Sequence, residues 1–200
     1  MEKKGQLPIV LASASPRRRE LLESAGWTVT VCPANVDERL NDGENSRDYV
    51  ARLARAKAHA TQAPVDQIVL GADTAVVIDR ICEPEVILGK PASASEASAM
   101  LRQLAANDHE VVTGVCLRRG DREIVDVEVT KVWFSPMSER DIADYVATGE
   151  CYDKAGAYAI QGRAARYVYR IEGSYSNVVG LPLATVWRVW QQLLPRDDRR

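Results

Sequence analysis

Histidine is almost missing from this sequence. His59 and His109 are its two copies, too few and too far apart for a zinc site. Cysteine is scarce and scattered. Cys32, Cys82, Cys116 and Cys151 include no Cys-x-x-Cys pair, so they read as buried or half-buried free thiols rather than as a metal or redox motif. No apolar run approaches the length of a membrane span, and Met1–Gly5 leads into an apolar run too short for a signal peptide. Neither sign of charge dominates: 26 Lys and Arg stand against 28 Asp and Glu, a net charge of −2. That balance argues against a general nucleic-acid binder, which is usually strongly basic. There is no internal repeat and no low-complexity segment. These absences predict a reduced, cytoplasmic protein that engages neither nucleic acid nor membrane.

What is present suits an α/β chain. With 200 residues, 46% of them hydrophobic, it can bury a substantial core, as one domain or as two lobes sharing a sheet. The stretch around which the rest is organised is Leu11-Ala12-Ser13-Ala14-Ser15-Pro16-Arg17-Arg18-Arg19-Glu20-Leu21-Leu22. A short apolar strand, about Pro8 to Ala12, stops at small hydroxyl residues, and a helix follows. Ser15 reads as its N-cap and Pro16 as its first residue. The helix runs to about Ser24, with Gly26 as its stop. Three arginines in the first turn add positive charge where the helix dipole is already positive. They read either as a solvated turn or, together with free backbone N–H groups, as a phosphate site.

Trp27 to Val31 alternates as a second strand. The loop Asn35-Val36-Asp37-Glu38-Arg39 carries adjacent carboxylates. These are ordinary solvated acids unless a phosphate site lies nearby, where magnesium would need oxygen ligands. A second helix spans roughly Ser46 to Gln62, with Tyr49, Val50, Leu53, Ala54 and Ala60 as its apolar stripe. On this pattern Lys57 projects elsewhere and reads by default as an exposed lysine. Ile68 to Ile78 forms the second informative stretch: an apolar strand ends at Gly71-Ala72, meets Asp73-Thr74 and resumes. A carboxylate in so apolar a run must be paired, metal-bound or poised as a base, or else cap a turn.

Asp79 to Leu88 reads as a loop closed by Gly89-Lys90-Pro91. Ser93 and Glu96 form a capping box for a third helix ending near Leu104. Glu110–Leu117 and Glu123–Phe134 read as long strands joined by a hairpin at Arg118–Asp121. Ser138 caps a fourth helix to about Ala147, ended by Gly149. Small residues crowd Asp153-Lys154-Ala155-Gly156-Ala157-Tyr158-Ala159-Ile160-Gln161-Gly162, where backbone can approach a ligand closely. The Gln161 amide, with donor and acceptor side by side, suits either a pyrimidine edge or a plain surface position at a strand end. Tyr167–Ile171 is a short strand, and Gly173 to Leu183 reads as turns leading into the last helix, about Leu183 to Leu194. Pro195–Arg200 reads as a flexible charged tail.

The stretches Ser13-Ala14-Ser15-Pro16-Arg17-Arg18, Gly71-Ala72-Asp73-Thr74, Gly89-Lys90-Pro91, Asp153 to Tyr158, and Gly173-Ser174-Tyr175 with Val179-Gly180-Leu181-Pro182 stand in order across nearly the whole chain. Together they resemble the Maf family of nucleoside triphosphate pyrophosphatases. Asp153 to Tyr158 followed by Ile160-Gln161-Gly162 is similar to the branch acting on dTTP and UTP. Two departures stand beside the motifs: Cys151-Tyr152 where a proline-containing segment is common, and a slightly long loop between Asp79 and Gly89.

The resemblance implies an α/β fold with an elongated mixed sheet flanked by helices and a central cleft between two lobes. Residues 1–200 would form a single domain with its core at 7–194. It implies hydrolysis of dTTP and UTP to the monophosphate and pyrophosphate. Asp73 matches the proton acceptor. Arg17, Thr74 and Gln161 match positions of base selection, and Ser13, Glu38, Lys57 and Lys90 match other cleft positions. On this reading Ser13, Lys57 and Lys90 bind substrate, while Glu38 with Asp73 holds Mg2+ or Mn2+. Arg17 is the arginine expected on the nucleotide; Arg18 is left between phosphate and structural work, and Arg19 as solvated. The family also suggests a homodimer, house-cleaning of modified pyrimidine nucleotides and a role in division arrest. Two other classes use similar elements: a nucleotidyltransferase, which needs a second substrate, and a non-enzymatic nucleotide-binding regulator of septum formation.

Overall fold

The structure, a computed structural model, describes residues 7–79 and 84–194. The expectations for Met1–Gly5, Cys82 and the 195–200 tail lie outside those residues, as does part of the segment after Asp79. In chain order the described elements are β1 (Ile9–Leu11), α1 (Pro16–Ser24), β2 (Val29–Val31), α2 (Ser46–Ala60), β3 (Ile68–Ile78), β4 (Val86–Leu88), α3 (Ala94–Leu104), β5 (Asp108–Arg119), β6 (Arg122–Phe134), α4 (Glu139–Val146), β7 (Val168–Glu172), α5 (Tyr175–Val179) and α6 (Leu183–Leu193). The strands form an open, mixed seven-stranded sheet in the order β2-β1-β3-β5-β6-β7, with β4 also paired to β3. β1 runs parallel to β2 and β3, whereas β4 is antiparallel to β3 and β7 to β6. Among the described residues no helix is long and apolar enough to cross a membrane.

The chain divides into two compact units. One comprises the residues up to Asp73, Thr113–Glu128 and the residues from Gly180; the other comprises Thr74–Val112 and Val129–Val179. In the first unit, the period-two alternation of strands sorts the core. Ile9, Leu11, Ile68, Leu70, Ala72, Val115 and Leu117 cluster with Leu22 of α1 and with Val186, Val189, Trp190 and Leu193 of α6. Val10, Ala12, Val69 and Cys116 cluster instead with Ala54 and Ala58 of α2. Two glycines let α2 sit directly on the strands. A Cβ at Gly71 would lie 2.1 Å from the Ala54 carbonyl oxygen, and one at Gly114 would lie 2.3 Å from that of Val50. Asp73 follows Val69 and Gly71 at even spacing in β3, so its side chain rises on the face that α2 covers.

In the second unit, edge-to-face contacts join His109, Phe134 and Tyr158, with ring centroids 4.8–5.3 Å apart. The small-residue stretch is seated by its backbone. Gly156 adopts φ +68°, a Cβ there would meet Val76 at 2.9 Å, and its N–H donates to the Gly89 carbonyl at 3.1 Å. The glycine at this point thus serves both a left-handed conformation and a close approach.

Several expectations need correction. β3 does not break at Gly71-Ala72 but runs unbroken through Asp73 and Thr74, so Asp73 caps no turn. Val86–Leu88, read as loop, pairs with β3. The Gly173–Leu183 turn contains the short helix α5. In α2 the buried stripe is Ser46, Val50, Leu53, Ala54, Lys57 and Ala58; Ala60 is exposed and Tyr49 only half-buried. At α3, Ser93 accepts the Glu96 N–H as expected, but the Glu96 carboxylate accepts from Ala92 rather than from the cap residue itself. Cys32, Cys116 and Cys151 are free thiols, as expected.

The seating of α2 is testable. Gly114→Ala should destabilise the fold by at least about 2 kcal/mol, since overpacking against backbone cannot be relieved by a rotamer change. In urea unfolding the midpoint should fall while the slope stays unchanged.

Candidate active site

The loop after β1 is wound on its own hydroxyls. Ser15 caps α1 by accepting the Arg18 N–H, and Pro16 occupies the first turn. Ser13 Oγ in turn accepts the Ser15 N–H at 3.2 Å. The arginines of the first turn then part company. Arg18 folds inward: Nη1 donates to Ser13 Oγ at 3.1 Å and to the Ala72 carbonyl at 2.8 Å, and Nε donates to the Gly180 carbonyl at 2.9 Å. Burial lowers its pKa, with the Asp73 charge the strongest influence in the other direction. Arg17 stays half-exposed, and Arg19 is exposed and reaches Glu23 along the helix at 3.7 Å.

Beside this loop, α2 delivers Lys57. The residue is 7% exposed, correcting its default reading as a solvated lysine. Its Nζ lies 2.6 Å from Asp73 Oδ1 and 2.6 Å from Glu38 Oε1. The spacing contains the signal for this placement: Lys57 stands seven residues after Val50, four after Leu53 and three after Ala54, on the buried stripe itself. A lysine there must neutralise or find carboxylates, and Asp73, on the facing strand, is 9% exposed.

Sequence reasoning missed how Glu38 is held. Tyr49 Oη donates to the Glu38 carbonyl at 2.9 Å. Arg52 donates to the Arg39 carbonyl at 3.0 Å and grips Glu44 through Nε and Nη2 at 2.6 and 2.7 Å. The Arg52 hydrogen bonds hold the Glu44 carboxyl down at about 2. Burial raises the Tyr49 phenol, helped by the charges of Asp73 and Glu38. Tyr49 and Arg52 are three residues apart on one helical face, so α2 both supplies the lysine and anchors the acidic loop.

A continuous path of bonds and one peptide therefore runs Ser13, Arg18, Ala72-Asp73, Lys57, Glu38. Among the described residues no group of three or more His, Cys, Asp or Glu side chains can hold a metal ion. Glu38 and Asp73 converge on the Lys57 ammonium, 2.6 Å from each, and their remaining carboxylate oxygens are hard donors. A pair of this kind fits Mg2+ or Mn2+, whose remaining positions are commonly filled by water and substrate phosphate.

Thr74, the next residue of β3, is half-buried, whereas Lys90 and Gln161 in the second unit are exposed. The segment bearing Gln161 is secured on either side. The Ala159 N–H donates to Tyr145 Oη at 3.1 Å, and Glu150 accepts the Arg163 N–H at 2.9 Å. Three residues before Gln161, Tyr158 Oη and His109 Nε2 are 2.9 Å apart.

The described fold is thus α/β, with a hydroxyl-lined helix start, an inward arginine and a lysine-bridged carboxylate pair. Comparison with known proteins assigns it: the chain belongs to the Maf family, whose model, described as Maf-like protein, matches residues 8–193. It is similar to the dTTP/UTP pyrophosphatase of Koribacter versatilis, 49% identical over 185 residues that cover 92% of this chain and 93% of the relative. The dTTP/UTP pyrophosphatase of Citrifermentans bemidjiense is 51% identical over 181 residues, 89% of this chain and 91% of the relative. That of a Geobacillus species, strain WCH70, is 46% identical over 187 residues, 92% and 97% of the two chains.

The buried imidazole gives a pH test. Burial depresses His109 from 6.5 to about 4. Between these values the unfolded chain binds a proton that the folded chain does not. Its contribution to stability is therefore complete above pH 6.5 and is lost as the pH falls toward 4, by roughly 3 kcal/mol in all. Unfolding free energies measured across that window should fall for the parent, and the slope should be shallower in His109→Gln.

Proposed function

We propose that this chain hydrolyses dTTP and UTP between the α- and β-phosphates, releasing the nucleoside monophosphate and pyrophosphate. The observation that carries the reading is Asp73: a carboxylate 9% exposed, on a rigid strand, next to a buried lysine and to the loop opening α1. Water adds to the α-phosphorus and pyrophosphate leaves with the bonding electrons. Lys57 engages Asp73 Oδ1, so Oδ2 takes the proton of the attacking water. The N–H groups of the Ser13–Arg18 loop, with Lys57 and Lys90, meet the phosphate charge. Glu38 and Asp73 would hold Mg2+ or Mn2+, which when bound supplies Lewis-acid charge and a water of lowered pKa.

Base choice falls to Gln161, Thr74 and Arg17. A site that hydrogen-bonds a pyrimidine edge discriminates because a wrong base leaves its polar groups unpaired. The reading also carries the cytoplasmic location, the single-domain organisation of residues 1–200, the homodimer and the nucleotide house-cleaning role with its link to division arrest.

A pyrophosphate-release screen over nucleoside triphosphates, with each metal and with chelator, tests the reading. Release from dTTP and UTP well above GTP, abolished by chelation, is expected. Equal turnover of GTP and dTTP would remove the specificity, and dTTP binding without release would make the chain a nucleotide-binding regulator. Asp73→Asn should lower kcat by roughly 10²–10⁴-fold, the range for loss of a general base; near-normal turnover would sink the assignment. Gln161→Ala should narrow the ratio of kcat/KM for dTTP over GTP more than it lowers hydrolysis itself.

A further inference from the structure

Arg18 joins segments that are distant in the chain. Its guanidinium donates to Ser13 Oγ in the loop before α1, to the Ala72 carbonyl in β3 and to the Gly180 carbonyl between α5 and α6. Ala72 is the residue immediately before Asp73, and its carbonyl belongs to the peptide that carries the Asp73 nitrogen. The same Nη1 holds the Ser13 hydroxyl, onto which the Ser15 N–H also closes. One planar group thus sets the separation between the loop at the start of α1 and the backbone that presents the carboxylate. Its own backbone N–H is the donor to the Ser15 cap, which fixes where the side chain begins.

We propose that Arg18 is a positioning residue of the reaction, acting through the Ala72-Asp73 peptide and Ser13, rather than a contact to phosphate. This rests on the reading of Asp73 as the base. A guanidinium can serve several acceptors at once because its donors are fixed in a plane. A lysine ammonium is a single point on a flexible stem and cannot hold the same three. Loss of the fork leaves substrate binding to Arg17, Lys57, Lys90 and the loop N–H groups, but lets the base drift from the attacking water. A displacement of about 1 Å in such an arrangement costs up to 10²-fold in rate.

The test is steady-state hydrolysis of dTTP by Arg18→Lys and Arg18→Gln, in the parent and in Asp73→Asn, with thermal unfolding of each. In the parent, kcat should fall at least about tenfold while KM changes less than about threefold, since only transition-state alignment is lost. In Asp73→Asn the same substitutions should change the residual kcat less than about twofold, because residues acting as a unit are not additive. A rise in KM with unchanged kcat would make Arg18 a phosphate ligand and overturn the proposal. So would a tenfold loss repeated in Asp73→Asn, or the absence of a cooperative unfolding transition in both Arg18 variants. If Asp73→Asn itself turns over normally, it is the assignment of the base that fails. If Asp73→Asn is impaired while both Arg18 variants are normal, the Arg18 proposal alone fails.

Discussion

Lys57 places an ammonium beneath a helix, 2.6 Å from each of two carboxylates that arrive on different segments. Removing such charges from water is costly, and their attraction compensates only when geometry is tightly held. The surrounding fold supplies that geometry. Gly71 and Gly114 bring α2 down onto β3 and β5, Asp73 faces α2 because β3 continues without a break, and Tyr49 and Arg52 tether the segment bearing Glu38. Asp73 contributes the buried end of the pair, while Glu38, 51% exposed in its side chain, contributes a solvent-screened end and adds correspondingly less stability.

Positive charge at the start of α1 is handled by dividing the arginines. A helix N-terminus is a poor place for cations unless an anion or a set of carbonyl acceptors answers them. Arg18 is answered internally, by Ser13 and the Ala72 and Gly180 carbonyls. Arg19 is answered along the helix by Glu23. Arg17 is half-exposed. The second unit spends its specialised residues differently: Gly156, Tyr145, Tyr158 and Glu150 fix backbone near Gln161, and the amide side chain itself stays exposed.

Much of this was legible in the sequence where local rules act alone. The Ser15 cap, Pro16 start and Ser24 end of α1 follow from short-range chemistry, as do the Ser138 cap of α4 and the apolar face of α6. Asp73 could be singled out because charge in an apolar run demands an explanation. Lys57 reads as solvated from its charge type alone, while its position on the stripe places it in the interior. Gly114, Tyr49 and the inward turn of Arg18 were not legible, because each acts on a segment remote in the chain. The short α5 and β4 were missed for a related reason: elements this short derive their stability from what they pack against, not from a sequence period.

The dependence of the site on Lys57 is measured most directly by a double-mutant cycle with Lys57→Met and Asp73→Asn, read as unfolding free energy in urea. Lys57→Met alone leaves a buried carboxylate without its partner and should cost about 3–5 kcal/mol. Adding Asp73→Asn removes that orphaned charge, so the double variant should be no less stable than Lys57→Met, with a coupling energy above about 1.5 kcal/mol. Losses that add to within about 0.5 kcal/mol would show that the two side chains do not depend on each other, and would contradict the account.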